Sequence, residues 1–292
     1  MSDAPASLHA YGSHPSQYAE LYLPERRSRP GVAVIIHGGF WRQAYGAEYG
    51  RPLAADLARR GWVAWNLEYR RTAGGAGGWP ETFTDVAAGI DLLHPVLREA
   101  GLDSGPVVAI GHSAGAHLGL WAAGRHLLPS GVPGALRRPC LDGVVAQSGA
   151  LDLALADELN LSNGAVRELL GLDPGRDDGR WKWADPMQRL PLGVPVVAIH
   201  GDNDGDVPLS VSESYARAAA AAGDRIELLR ISGDHYGVIT VGNAAWELCV
   251  RALAGLAAAG GVATDTPGTG GGAAADGILE HCPKNRGEDG SC

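Results

Sequence analysis

Apolar residues along this chain cluster in short β-branched runs separated by amphipathic stretches. That alternation is expected of strands buried on both faces by helices. Residues 31–36 (GVAVII), 106–110 (PVVAI), 141–145, 194–199 (VPVVAI) and 226–231 read as such strands, and residues 62–69 (WVAWNLEY) alternate and read as another. Residues 46–60 carry helical spacing that Gly61 stops; residues 82–97 do so through Phe83, Val86, Ile90, Leu93 and Leu97. Residues 11–29 alternate polar and apolar positions (Tyr18, Leu21, Leu23) before Pro24, which suits an antiparallel edge strand or hairpin. Strands and helices in this order predict an α/β fold with a mainly parallel sheet and helices on both faces.

Three segments interrupt the pattern. Residues 70–80 contain GGAGG and close on Trp79-Pro80; no helix begins there, so they read as a mobile surface loop near the site, not a phosphate cradle. Residues 152–191 form a long insertion with Trp181 and Trp183. It is open to two readings, a cap over a pocket or a helical excursion packed on the sheet edge. From Ala252 the chain turns Ala/Gly-rich, giving a domain over 1–260 and a flexible Gly/Ala-rich linker and tail over 261–292.

Composition narrows the function classes. About 250 residues suit one large domain with a well-buried core. The net charge of −9 disfavours nucleic acid or an anionic membrane as partner. No apolar run reaches membrane-span length, and the N-terminus carries no basic and apolar leader, so a cytoplasmic protein is expected. Cys140 and Cys249 are isolated and read as buried thiols, and nothing requires Cys282 and Cys292 to pair. The oligomeric state is left open.

Candidate chemistry centres on Gly111-His112-Ser113-Ala114-Gly115, which joins the 106–110 strand directly to an Ala/Leu-rich helix. So abrupt a strand-to-helix bend needs glycines where Cβ atoms would collide, and it holds Ser113 at the tip with its hydroxyl exposed. The helix starting at Ala114 aims its amides and positive dipole end at the same point. His37-Gly38-Gly39-Phe40-Trp41 follows another buried strand, where adjacent glycines let amides turn inward as a second oxyanion donor.

A serine hydroxyl needs a base, and the base an orienting acid, both brought by later strands to the carboxyl rim of the sheet. After the 194–199 strand, HGDNDGDVP offers three aspartates in five residues. Asp204 is the candidate acid, Asp206 the alternative or a helix cap, and Asp202 a brace for the turn. His235, in the loop Ser232–Gly237 after the last strand, is the candidate base. His37, His112, His117 and His200 read as structural. The order Ser113, Asp204, His235 matches that of one class of serine hydrolase, whose chemistry calls on no metal or cofactor.

Over residues 11–255 these motifs resemble the α/β-hydrolase superfamily of esterase/lipase type. HGGFW is similar to its oxyanion motif, GHSAG to its nucleophile elbow, HGDNDGDVP to its acid loop and GDHYGVI to its histidine loop. GHSAGAHL and HGGFW look particularly like the kynurenine formamidase (arylformamidase) branch, whereas the acid loop looks like that of general carboxylesterases. The resemblance implies an α/β-hydrolase fold, an oxyanion hole from the amides of Gly39, Phe40 and Ala114, and cleavage of a small-molecule ester or aryl-formamide through an acyl-enzyme. Trp41 and Trp79 are candidate substrate-binding residues, their aromatic rings suiting an apolar wall. Acyl transfer or thioester cleavage on the same triad, or a non-catalytic binding protein on this scaffold, are the alternatives.

Overall fold

A computed structural model describes residues 4–172 and 179–262. The expected linker and tail beyond Val262, with Cys282 and Cys292, lie outside the described residues. The strands are β1 (Ser7–Ala10), β2 (Tyr18–Tyr22), β3 (Val32–Ile36), β4 (Val63–Leu67), β5 (Val107–His112), β6 (Gly143–Gln147), β7 (Val196–Gly201) and β8 (Ile226–Ile231). Among the described residues they form one sheet in the order β1-β2-β4-β3-β5-β6-β7-β8. β1, β2 and β4 pair antiparallel and every other pair is parallel.

Alternate residues of the central strands enter two separate cores. Val34 and Ile36 of β3 belong to one, Ala33 and Ile35 to the other. Helices α2 (Glu81–Asp91), α3 (Leu93–Glu99), α4 (Ala114–Ala123) and α8 (Leu209–Ala222) cover the first face, and α1 (Arg51–Arg59) and α9 (Ala244–Val262) the second. α4 is buried along its whole length, which its Ala/Leu/Gly sequence permits because no charge needs water.

Some elements depart from the pattern expected of them. The edge hairpin begins earlier, at Ser7. β4 is buried at every position despite its alternation, because it lies between β2 and β3 with helices over both faces. The single helix expected over 82–97 is two. Pro95 has no N–H for the Asp91 carbonyl and its ring crowds that carbonyl, so α2 ends at Asp91 and α3 starts afresh at Leu93.

Residues 70–80 are anchored rather than loose. The Thr72 amide donates to the Trp41 carbonyl (2.8 Å), Gly77 to Arg71 (2.8 Å) and Trp79 to Leu169 (2.7 Å), and Arg71 and Thr72 are buried.

The insertion supplies α5 (Leu153–Glu158), α6 (Ala165–Leu170) and α7 (Arg180–Ala184). Leu153, Val166, Leu169 and Leu170 join the first core, and Trp181 and Trp183 pack against it half-buried. Hydrogen bonds from Trp121 Nε1 to the Trp183 carbonyl (2.9 Å) and from His117 Nε2 to the Ala184 carbonyl (3.0 Å) tie it to α4. Cys249 is buried, which pushes its thiol up to about 12, whereas Cys140 is only half-buried. No helix among the described residues is long and apolar enough to cross a membrane.

Candidate active site

The elbow forms between β5 and α4. Ser113 has φ 53° and ψ −117°, a strained backbone for a residue with a side chain. The glycines around it explain how the turn closes. A Cβ on Gly115 would strike the carbonyl oxygens of Ile36 and His37, and one on Gly111 the Gly115 carbonyl. The Ser113 amide donates to the Gln147 carbonyl of β6 (2.8 Å), fixing the turn to the neighbouring strand. The Ser113 hydroxyl is buried and has no hydrogen-bond partner among the described residues, His235 included.

The second loop, after β3, runs through three consecutive residues of positive φ: Gly39 (106°), Phe40 (49°) and Trp41 (58°). The amides of Gly39 and Phe40, like that of Ala114 at the start of α4, donate to no group among the described residues. Beneath the loop lies a buried ionic cluster. His37 Nε2 meets Glu68 (3.2 Å) and its ring stacks on Tyr69 at 4.3 Å, while Arg71 bonds Glu68 and the Tyr45 carbonyl. Burial alone would raise the Glu68 carboxyl, but His37, Arg71 and the Ala47 amide outweigh it and hold the group below its ordinary range.

Acid and histidine arrive from the ends of β7 and β8. His235 Nδ1–H donates to Asp204 Oδ2 at 2.7 Å, which leaves Nε2 as the ring's free nitrogen. His200 Nε2 approaches the same oxygen (3.2 Å), and the amides of Asp206 and Val207 donate to Oδ1 (3.0 and 2.8 Å). Burial would raise the Asp204 carboxyl; the neighbouring His200 ring and the hydrogen bonds from His235 and Val207 overcome that and hold it far below the ordinary carboxylate range. Asp202 Oδ1 accepts from the Gly233 amide (3.1 Å), bracing the acid loop against the histidine loop. His112 Nε2–H donates to the His235 carbonyl (2.9 Å). Its ring is neutral, pushed down to about 3 by burial and by the neighbouring His235.

A cavity of about 130 Å³ opens over these residues, and Ser113, His235, Gly39 and Phe40 line it. Ala114 and Asp204 do not line it; Ala114 follows Ser113 directly and Asp204 meets the cavity through His235. Trp41 and Trp79 are not brought to the cavity. Trp41 is 1% exposed and packs edge-on to His117 (5.3 Å), because the positive-φ turn swings its side chain into the core. Trp79 packs on Phe83 (4.9 Å), half-buried. Nor does any described residue of 152–191 or of the 70–80 loop line the cavity.

The walls are instead Tyr45, Tyr49, Tyr236, Ile239, His112 and Asp206. Nothing in the sequence singles out the tyrosines: Tyr45 and Tyr236 lie outside the periodic stretches, and Tyr49 is one position of the 46–60 helical pattern. His200 and His112, read as structural, stand beside the acid and under the histidine loop. The one signal for His200 was its place four residues before Asp204, at the end of a buried strand.

Isoprenylcysteine alpha-carbonyl methylesterase ICME of Arabidopsis thaliana is 28% identical over 241 residues, covering 76% of this chain and 54% of that protein. Esterase LipQ of Mycobacterium tuberculosis is 25% identical over 203 residues, covering 67% of this chain and 47% of that protein. The chain thus spans about half the length of these curated relatives. Among solved structures, a truncated carbohydrate esterase from gut microbiota superposes with a TM-score of 0.70 at 20% identity, covering 90% of this chain and 99% of that one. Propionate-bound esterase Est2 of Thermogutta terrifontis does so at 0.67 and 23% identity, covering 87% and 93%. The fold is that of the α/β-hydrolases, and with a family match across residues 19–218 the chain belongs to the BD-FAE family.

Proposed function

We propose that the protein is a serine hydrolase that cleaves a carboxylic ester through an acyl-enzyme. The observation that carries this is the Asp204–His235 pair, Nδ1 bound and Nε2 free, beside an unpartnered Ser113 hydroxyl lining the same cavity. His235 Nε2 takes the Ser113 proton as Oγ attacks the acyl carbon, through a hydrogen bond that forms when substrate docks. The carbonyl oxygen becomes an oxyanion facing the amides of Gly39, Phe40 and Ala114, each contributing roughly 3 kcal/mol to the transition state. Asp204 fixes the tautomer and stabilises the imidazolium. His235 then returns the proton to the leaving alcohol, and a water activated by the same nitrogen releases the acid.

Relatives named as esterases favour an ester over other acyl substrates. An aryl-formamide is the second reading, favoured by the GHSAGAHL and HGGFW motifs. Ser113→Ala should lower hydrolysis of 4-nitrophenyl acetate by about 10⁵-fold or more, and unchanged turnover would refute the nucleophile. A side-by-side rate comparison of short aryl esters with N-formylkynurenine decides between ester and formamide.

A further inference from the structure

The walls of the cavity point to the substrate's charge. Tyr45, Tyr49 and Tyr236 line it and stand 42, 46 and 52% exposed, so their rings are open to solvent and to a ligand. Tyr45 and Tyr49 pack at 5.6 Å, and Tyr236 stands edge-on to the His235 ring at 5.3 Å. The Asp206 carboxylate completes the ring and lies within 4.8 Å of a His235 ring nitrogen. Tyr236, Asp206, Tyr45 and Tyr49 line the one cavity; burial first, and then Asp206, raises the Tyr236 phenol. No lysine or arginine lines the cavity among the described residues, and the buried, unpartnered Ser113 hydroxyl forms its floor.

We infer that this mouth binds a cationic group, an ammonium carried by the leaving alcohol of the ester. Aromatic faces attract a cation through their quadrupoles, quaternary ammonium best of all because it sheds water readily. A carboxylate beside them adds a full charge that no basic side chain cancels. The side of the ester follows from the chemistry. His235 protonates the leaving oxygen, so groups that flank His235, as Asp206 and Tyr236 do, meet the leaving group and not the acyl group. The cavity's modest volume suits a short acyl chain with the cation at the opening.

The inference rests on the hydrolase reading for catalysis but not for binding, and two measurements separate them. The first compares kcat/KM for acetylcholine with that for 3,3-dimethylbutyl acetate, the same shape with carbon in place of the charged nitrogen. The wild type should favour the cationic ester by about tenfold or more, and Asp206→Asn should bring the ratio of the two esters towards one. The second is calorimetric titration of the Ser113→Ala protein with choline and with 3,3-dimethylbutan-1-ol, which needs no turnover. Tighter binding of choline supports the inference even if neither ester is cleaved, an outcome that would count against the hydrolase reading alone. Equal binding of the two alcohols, no binding of choline, or a preference unmoved by Asp206→Asn overturns it.

Discussion

Asp204 accepts hydrogen bonds from the His235 ring and two backbone amides, with His200 Nε2 3.2 Å away, and its carboxylate is thereby committed to one geometry. In Asp204→Asn an amide NH₂ can face the His235 Nδ1, forcing the other tautomer, so kcat should fall by about 10⁴-fold while the fold persists. The same substitution has a stability signature. A carboxyl depressed in the folded state stabilises it above the unfolded pKa of about 4, and that contribution is lost as pH falls through the folded value. Asp204→Asn should therefore unfold at lower urea than the parent at neutral pH, with the gap closing in strong acid. Trp41 behaves oppositely at this scale. Buried against His117 and Phe40, it should cost about 3–5 kcal/mol on replacement by alanine, read from urea unfolding, as a core residue and not a substrate contact. Its location was illegible in HGGFW because the side chain's direction depends on three successive positive φ angles. Ser113, Asp204 and His235 were legible because strand ends in a parallel sheet deliver side chains to one rim regardless of loop detail.

At the scale of elements, the elbow works because β3, β5 and α4 meet with no room for a methyl group. Gly115→Ala drives a Cβ into the Ile36 and His37 carbonyls, which are strand backbone and cannot swing aside. We expect a loss on the order of 3 kcal/mol or more, visible as a lower Tm, with activity lost alongside because the Gly39 loop follows directly on β3. α4 also carries the link to the insertion, through His117 and the Ala184 carbonyl. Burial pushes His117 down to about 3, so it is neutral when folded and binds a proton on unfolding at any pH below about 6.5. Stability then falls as pH drops from about 6.5 towards 3, by up to about 1.4 kcal/mol per pH unit for this histidine. His117→Gln should lower Tm at neutral pH but flatten the fall in acid; an unchanged slope would mean the ring is charged in the fold. The buried strands were readable from β-branched runs bounded by glycine, since a strand covered on both faces admits little else. The anchoring of residues 70–80 was not, because it resides in backbone bonds to Trp41 and Leu169 that any side chains would allow. The same holds for the insertion, whose ties to α4 run through the Trp183 and Ala184 carbonyls, groups that any sequence supplies.

For the whole molecule, the second core depends on the end of the described chain. Trp246, Cys249, Leu253 and Ala257 of α9 are completely buried, and Leu256 lies so close to β6 that a Cβ on Gly143 would meet it at 3.1 Å. Trp246 Nε1 donates to Asp56 Oδ2 (2.8 Å), and Arg60 reaches from α1 to both Asp56 and Glu247, clamping the two helices together. At about 1.5–3 kcal/mol per large buried side chain, α9 contributes on the order of 10 kcal/mol, comparable to the whole stability of a domain. It also closes the site, since the Cys249 thiol and Gln147 both meet the Val238 carbonyl just after the histidine loop. A chain ending at 243 should therefore fail to fold. One ending at 262 should melt cooperatively within a few degrees of the full chain and hydrolyse 4-nitrophenyl acetate at a similar rate, if the domain closes near 260 as its composition indicates. Loss of activity in the 262-residue chain with melting unchanged would instead assign the last thirty residues a part in the site.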